Sequence, residues 1–338
     1  MDAIVLVGGQ GTRLRPLTLT RHKSLVPVCN VPAIEYLFAW LERSGFTRAV
    51  LAIGGHNDDL AVAYEHGRPG TLDVTLVREH VRLESGGAIR NAVQEASVEG
   101  RFAVLNGDVF VDFDFAPALA AHTGRNADLT LALYEVADPS AYGVAALDTT
   151  GAVTGFVEKP PPGTEPGNLV NAGVWIFEPG LVAEIPPGAV RVEETLFPSL
   201  VARGRTVLGY RFEGIWADIG TPARYLELNR ALVARHGKPV LGARVTQREG
   251  ANLSGSSAGD GCVIEAGALV EDSILWEHVT VAAGAAVRDS ILADGVIIEA
   301  GARVTGAVIG SGAIVPTGAV VPAGTLVEPG ARYDARDD

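Results

Sequence analysis

The 338-residue sequence predicts an α/β domain with a mostly parallel sheet, followed by a left-handed parallel β-helix. Three observations carry this. Apolar, β-rich runs alternate with helical stretches over 1–236. Helical patterning stops at about residue 250. Beyond it, glycines and aliphatic residues recur at fixed steps, the mark of a coiled repeat. The expected organisation is a domain over 1–236, a linker over 237–250 and a repeat domain over 251–338.

In the first domain, 4–7, 49–53, 74–77, 102–105 and 129–136 read as strands, and 33–43, 88–96 and 116–122 as helices. The opening run is apolar at consecutive positions, as in a strand buried on both faces. It has no basic residues or cleavage site ahead of it and reads as the first strand, not a signal peptide. A last helix over 223–235 is announced by Thr221-Pro222, a cap followed by proline at the first helical position, and is stopped by Gly237. In the repeats, Gly306, Gly312, Gly318, Gly324 and Gly330 recur every six residues, as do Val308, Ile314, Val320 and Leu326, and Ile309, Val315, Val321 and Val327. Upstream, Gly267, Gly284 and Gly301 stand 17 apart, as do the Ser-Ile-Leu tripeptides at Ser273 and Ser290. Three six-residue rungs make one triangular coil, so both periods describe one solenoid, with aliphatics filling the prism and glycines at its corners. Such a tail reads as a structural or oligomerising appendage. The rival, a hexapeptide acyltransferase, needs a histidine base, and the repeats hold only His278.

Lysine and arginine total 27 against 40 acidic residues, a net charge of −13, which repels a nucleic-acid backbone and excludes bulk DNA or RNA binding. A phosphate ligand remains open to such a protein if its few cations gather in a cleft. Mean hydropathy is +0.22, yet no uncharged apolar run reaches the ~18 residues of a membrane span. Cys29 and Cys262 stand far apart with no metal-ligand spacing, which points to a reducing cytoplasm.

The chemistry concentrates in short motifs. The first strand runs into Leu6-Val7-Gly8-Gly9-Gln10-Gly11-Thr12-Arg13-Leu14-Arg15-Pro16-Leu17-Thr18. Glycines here let backbone N–H groups approach a polyphosphate, and Arg13, Arg15 and Lys23 add cations. No Gly-Lys-Ser/Thr follows, and Leu14 stands where a dinucleotide fingerprint has its third glycine, so neither standard loop is present. Asn106-Gly107-Asp108 ends a strand, where open α/β sheets place their ligand crevice, although alone it reads equally as a turn. Asp218, in Trp216-Ala217-Asp218-Ile219-Gly220-Thr221-Pro222, is a second carboxylate just before a helix. Glu158-Lys159-Pro160 alone would be a solvated turn.

Together these elements resemble the sugar-phosphate nucleotidyltransferases, which join a nucleoside triphosphate to a sugar 1-phosphate and release pyrophosphate. The resemblance rests on the Gly8–Thr18 run, Lys23-Ser24-Leu25-Val26-Pro27 (with serine where the family usually has proline), and Leu83-Glu84-Ser85-Gly86-Gly87-Ala88-Ile89. It continues through Asn106-Gly107-Asp108, Tyr142-Gly143, Glu158-Lys159-Pro160, Asn171-Ala172-Gly173 and the Asp218 element, all in family order. It implies a Rossmann-like catalytic fold. Leu6, Gly8, Gly9, Gly11, Thr12, Arg13, Ser85, Gly86, Gly87, Asn106 and Gly107 would bind the nucleotide, and Gly143, Glu158, Lys159 and Asn171 the sugar phosphate. Asp108 and Asp218 would hold Mg²⁺, and Arg13, Lys23 and Lys159 would carry catalysis. Glu84 departs from the glycine and Gly86 from the alanine of the usual base-binding loop. Glu193-Glu194 before Phe197-Pro198, with Val26-Pro27-Val28-Cys29-Asn30, resembles the mannose-1-phosphate guanylyltransferase branch and favours GTP. Thymidylyl-, uridylyl- or adenylyl-transfer to glucose 1-phosphate is the nearest alternative, and a regulatory, non-catalytic relative the alternative of another class. Self-association as a homo-oligomer is expected of the repeats.

Overall fold

The computed structural model describes residues 1–54 and 58–335. The chain packs into two bodies, one formed by Met1–Gly9 with Ile34–Trp216, the other by Gln10–Ala33 with the chain from Ala217 onward.

At the centre of the first body's sheet is the strand Asp2–Leu6, parallel to Arg48–Ile53 on one side and Phe102–Asn106 on the other. Ala3, Ile4 and Val5 are fully buried, as their unbroken apolar run predicts. Asp73–Arg78 extends the parallel side beyond Arg48–Ile53. On the other side the sheet becomes mixed: Leu169–Phe177 runs antiparallel to both Phe102–Asn106 and Leu129–Glu135, and Val207–Arg211 lies parallel to the latter. Gly143–Leu147 and Val153–Glu158 form an antiparallel edge pair. The alternation of strand and helix made the parallel side legible, whereas Leu129–Glu135, Gly143–Leu147, Val153–Glu158 and Leu169–Phe177 follow one another with no helix between them.

Three expected helices are present as Ala33–Arg43, Glu84–Glu95 and Phe115–Gly124. The second begins four residues before its expected start, because Gly86 and Gly87 lie in its first turn. An added Cβ at Gly86 would stand 2.8 Å from Val190 Cγ2, and one at Gly87 2.5 Å from the Gly188 carbonyl. Close packing against 185–190 therefore outweighs glycine's poor helix propensity. The core gathers around Trp175, Phe177 and Phe197, all fully buried and in mutual ring contact.

In the second body, Thr221 caps Pro222–His236 by accepting from the Arg224 N–H, and left-handed Gly237 ends the helix. Two-residue and three-residue strands then stack in three parallel sheets, one per face of a β-helix. Val240–Leu241 and Thr246–Gln247 already pair with the next coil, so the stretch expected as a linker, 237–250, carries strands of the first coil. The last three residues of the expected repeat domain, 336–338, lie outside the described residues. Of the two aliphatic series, Ile309, Val315, Val321 and Val327 face the interior, whereas Val320 and Leu326 are more than half exposed. Neighbours within a strand point to opposite faces, so only one series can fill the prism.

The strands pair at a step of 17, as Ser257↔Ile274 and Ile274↔Ile291, then at 18 for Val308↔Leu326. A serine ladder accompanies the shorter step. Ser256, Ser273 and Ser290 each donate to the carbonyl two residues back and accept a backbone N–H from the coil above. The buried hydroxyls satisfy backbone donors that the missing residue leaves without a carbonyl partner. The ladder ends at Ala307, one residue before the step lengthens.

Candidate active site

In the first body, the C-terminal ends of the two central strands meet side by side. Leu6 pairs with Asn106, and the Gly107 N–H donates to the Leu6 carbonyl at 2.9 Å. An added Cβ at Gly107 would collide with Val7 Cγ1, which explains glycine here. Leu6, Gly8, Gly9, Ser85 and Asn106 line one cavity of about 140 Å³, together with Glu79, Arg82, Glu84 and Ala88. The strand ends, the glycine turn and the start of a helix thus converge on one cavity. Gly86 and Gly87, between two lining residues in the sequence, pack against 185–190.

Two residues of this wall depart from expectation. Glu84 has φ +56°, which explains the glycine usual at that place. Here Arg82 and Arg191 hold its carboxylate at 2.8 and 3.1 Å. Glu79, which the motifs did not reveal, is 5% exposed, and its carboxylate lies against Gly8. Burial pushes its carboxyl above the ordinary value, and the Leu83 N–H, donating at 3.2 Å, pulls it back. Its position just past the strand Asp73–Arg78 is the signal that could have found it.

The expected sugar-side residues lie in the same body. Lys159 follows Val153–Glu158 in a left-handed conformation, its N–H donating to the Tyr142 carbonyl and its Nζ 3.5 Å from Glu158 Oε1. Gly143 pairs directly with Glu158. An added Cβ there would come within 2.6 Å of both Glu158 Oε2 and Phe156 Cζ, so the glycine makes room for the carboxylate. Asn171 accepts through Oδ1 from the Gly173 N–H and Trp175 Nε1, where the strand bulges. Left-handed Gly173 packs against the Asn106 amide, which joins this element to the cavity wall. Glu193, also missed as a site residue, accepts from the Ser85 hydroxyl at 2.5 Å. Burial, with the nearby Glu158 charge, raises its carboxyl; burial likewise raises Glu158, against the pull of Lys159.

On the sugar-side role that the resemblance implies for Glu158, Gly143→Ala is expected to raise KM for the sugar phosphate about tenfold, the scale of one hydrogen bond to a charged group. Steady-state kinetics on both substrates check this; an unchanged sugar-phosphate KM would detach Glu158 from sugar binding.

The second body holds the remaining residues. Gly11, at φ +61°, caps the short turn Thr12–Leu14, and its carbonyl accepts from the Thr18 hydroxyl. The Lys23 stem lies 3.1 Å from where a Gly11 side chain would begin. Arg13 is exposed, and its Nη2 approaches Gly220 beside the Asp218 carboxylate: an added Cβ at Gly220 would overlap Asp218 Oδ1 and stand 3.0 Å from Arg13 Nη2. Arg224, one turn into the helix, grips Asp218 Oδ2 at 2.7 Å. Asp108 directly follows Gly107 in the first body.

A glycine turn on a strand end with a cavity beside it defines the class, an α/β fold with a ligand crevice at the carboxyl ends of its strands. The chain matches the nucleotidyl transferase family model over residues 2–235 and a GlmU-like C-terminal hexapeptide model over 241–328. It is 32% identical over 303 residues to the mannose-1-phosphate guanylyltransferase of Mycobacterium tuberculosis, covering 80% of this chain and 83% of that one. It is 30% identical to a putative mannose-1-phosphate guanyltransferase of Sulfolobus acidocaldarius, covering 81% and 76%. Among solved structures, HddC from Yersinia pseudotuberculosis superposes with a TM-score of 0.59 at 25% identity, covering 68% of this chain and 99% of that one. The chain belongs to the nucleotidyl transferase family and is an enzyme of that class with a hexapeptide-repeat domain.

Proposed function

We propose that the chain is a mannose-1-phosphate guanylyltransferase, converting GTP and mannose 1-phosphate to GDP-mannose and pyrophosphate. The names and extent of its relatives support the sugar and the reaction. The buried Glu79 carboxylate in the cavity wall is the observation that carries the base. Guanine presents N1–H and the N2 amino group side by side, two donors for the two oxygens of one carboxylate. Uracil and thymine offer one N–H between two carbonyls, which a carboxylate repels.

In the reaction, a phosphate oxygen of mannose 1-phosphate attacks the α-phosphorus of GTP. The new P–O bond forms as the bond to the β-phosphate bridging oxygen breaks, and pyrophosphate leaves with that electron pair. Positioning and charge neutralisation supply most of the catalysis. The glycine-loop amides, Arg13 and Lys23 take up charge on the departing β,γ-phosphates. Lys159 holds the sugar phosphate, while Glu158 and Asn171 bind sugar hydroxyls. The nucleophile is already ionised near neutral pH, so no general base is needed.

Asp108 and Asp218 supply hard oxygen donors that suit Mg²⁺, which is commonly held by one or two carboxylates with phosphate oxygens and waters completing its shell. Among the described residues no group of three or more His, Cys, Asp or Glu could enclose a metal without such help. Bound there, the ion would neutralise phosphate charge.

No helix of the described residues is long and apolar enough to cross a membrane. Both cysteines are free and buried, which supports the cytoplasm as the site of action. The repeats are proposed to mediate self-association, which light scattering checks.

The test is pyrophosphate release with each NTP against mannose and glucose 1-phosphates in the presence of Mg²⁺. The GTP–mannose pair is expected to dominate; a dominant thymidylyl, uridylyl or adenylyl reaction replaces this reading, and silence in every pair supports a regulatory relative. Glu79→Gln is expected to raise KM for GTP about 10–100-fold. The ionised carboxylate is the acceptor, and burial raises its pKa. Acidification therefore weakens GTP binding from a pH above the ordinary carboxylate value. A pH profile of kcat/KM for GTP whose acidic limb is the same in Glu79→Gln removes Glu79 from base reading.

A further inference from the structure

The segment that holds Arg13 and Lys23 packs onto the β-helix. After Lys23, the chain turns in a hairpin between Pro27–Val28 and Val31–Pro32, with Cys29 and Asn30 both at positive φ. The Asn30 amide at its tip donates to the carbonyls of Val240 and Ala258, in the first two coils. Before Lys23, the Arg21 guanidinium donates to Asp294 Oδ2 at 2.9 Å and lies over the Trp276 ring, 4.9 Å from its centre. Asp294 and Trp276 belong to the coils. Trp276, 1% exposed, also donates through Nε1 to the Tyr225 hydroxyl at 3.0 Å, which in turn bonds the Pro27 carbonyl. The cation is thus fixed by a half-buried carboxylate and an aromatic face together, a stronger hold than an exposed ion pair.

We infer that Asp294 and Trp276 of the β-helix are positioning residues for nucleotidyl transfer: through Arg21 they fix the segment 10–33 and with it Arg13 and Lys23. The inference rests on the catalytic roles proposed for those two cations. It gives the repeats a task in the chemistry besides assembly. A cation that must meet charge developing on a leaving group loses most of its effect when displaced by an ångström. A loop anchored on both sides of Lys23 is how such displacement is prevented.

The test compares Arg21→Ala and Asp294→Asn with Glu299→Gln in the full chain. Asparagine at 294 keeps an acceptor for the Glu277 N–H while removing the charge that holds Arg21. Glu299 makes a comparable ion pair with Arg332 but bonds only within the distal coils. Arg21→Ala and Asp294→Asn are expected to lower kcat about 10–100-fold, with KM for mannose 1-phosphate within about twofold of the parent. Both should speed backbone hydrogen exchange over 10–33. Glu299→Gln should change neither. Arg21→Asp with Asp294→Arg should recover part of the lost kcat, since the pair is restored in reverse. An unchanged kcat in an active parent overturns the inference. If the parent releases no pyrophosphate with any substrate pair, the proposed function fails, and hydrogen exchange decides alone: unaltered exchange over 10–33 in both variants overturns the anchoring.

Discussion

Arg13→Ala is expected to lower kcat/KM for nucleotidyl transfer by about 10²–10³-fold, the usual consequence of deleting one preorganised electrostatic donor. The residue is exposed, so the loss should come without a change in melting temperature beyond that of an ordinary surface substitution, about 0.5 kcal/mol or less. Its neighbourhood says why the effect is chemical. Arg13 stands on a single short turn whose cap, Gly11, is tied by Thr18, and its guanidinium approaches Gly220 beside the Asp218 carboxylate. Arg13→Lys is expected to restore part of the activity, because it returns the charge and not the planar fork. Pyrophosphate release under saturating GTP and mannose 1-phosphate gives the measurement, and near-parental turnover in Arg13→Ala would strike the residue from the mechanism.

Asp108→Asn carries the second large expectation, loss of Mg²⁺-dependent turnover by about 10³-fold or more. The substitution keeps the side chain's shape and removes its charge, so the strand end at Asn106 and the Gly107 contact with Leu6 remain. Asp218→Asn should act in the same direction and also removes the carboxylate charge that faces the Arg224 guanidinium. Activity measured against Mg²⁺ concentration separates the outcomes. A weaker apparent metal affinity in both variants supports shared ligation, whereas full activity at parental Mg²⁺ concentrations excludes it.

Much of the molecule was readable before any coordinates. The unbroken apolar run at Ala3–Val5 announced a doubly buried strand, and Thr221-Pro222 with Gly237 bracketed a helix now seen at Pro222–His236. The six- and 17-residue glycine steps described one β-helix, and the observed register repeats at 17 and then 18. These features are local: each follows from periodicity, capping or backbone freedom within a few residues.

What remained hidden was non-local. Glu79 sits beyond a strand as an unremarkable acid, and only the approach of Gly8 makes it a cavity wall. The packing of Gly86 and Gly87 was equally hidden: a segment a hundred residues on occupies the space a side chain would need.

By itself, the sequence determined the strand-and-helix alternation, the repeat and the residue types able to hold phosphate, because these depend on short-range chemistry. Only the tertiary structure decided which carboxylates are buried beside the cavity and that residues 10–33 belong with the β-helix. Burial and contact between distant segments arise from how whole elements pack, and no spacing along the chain encodes them.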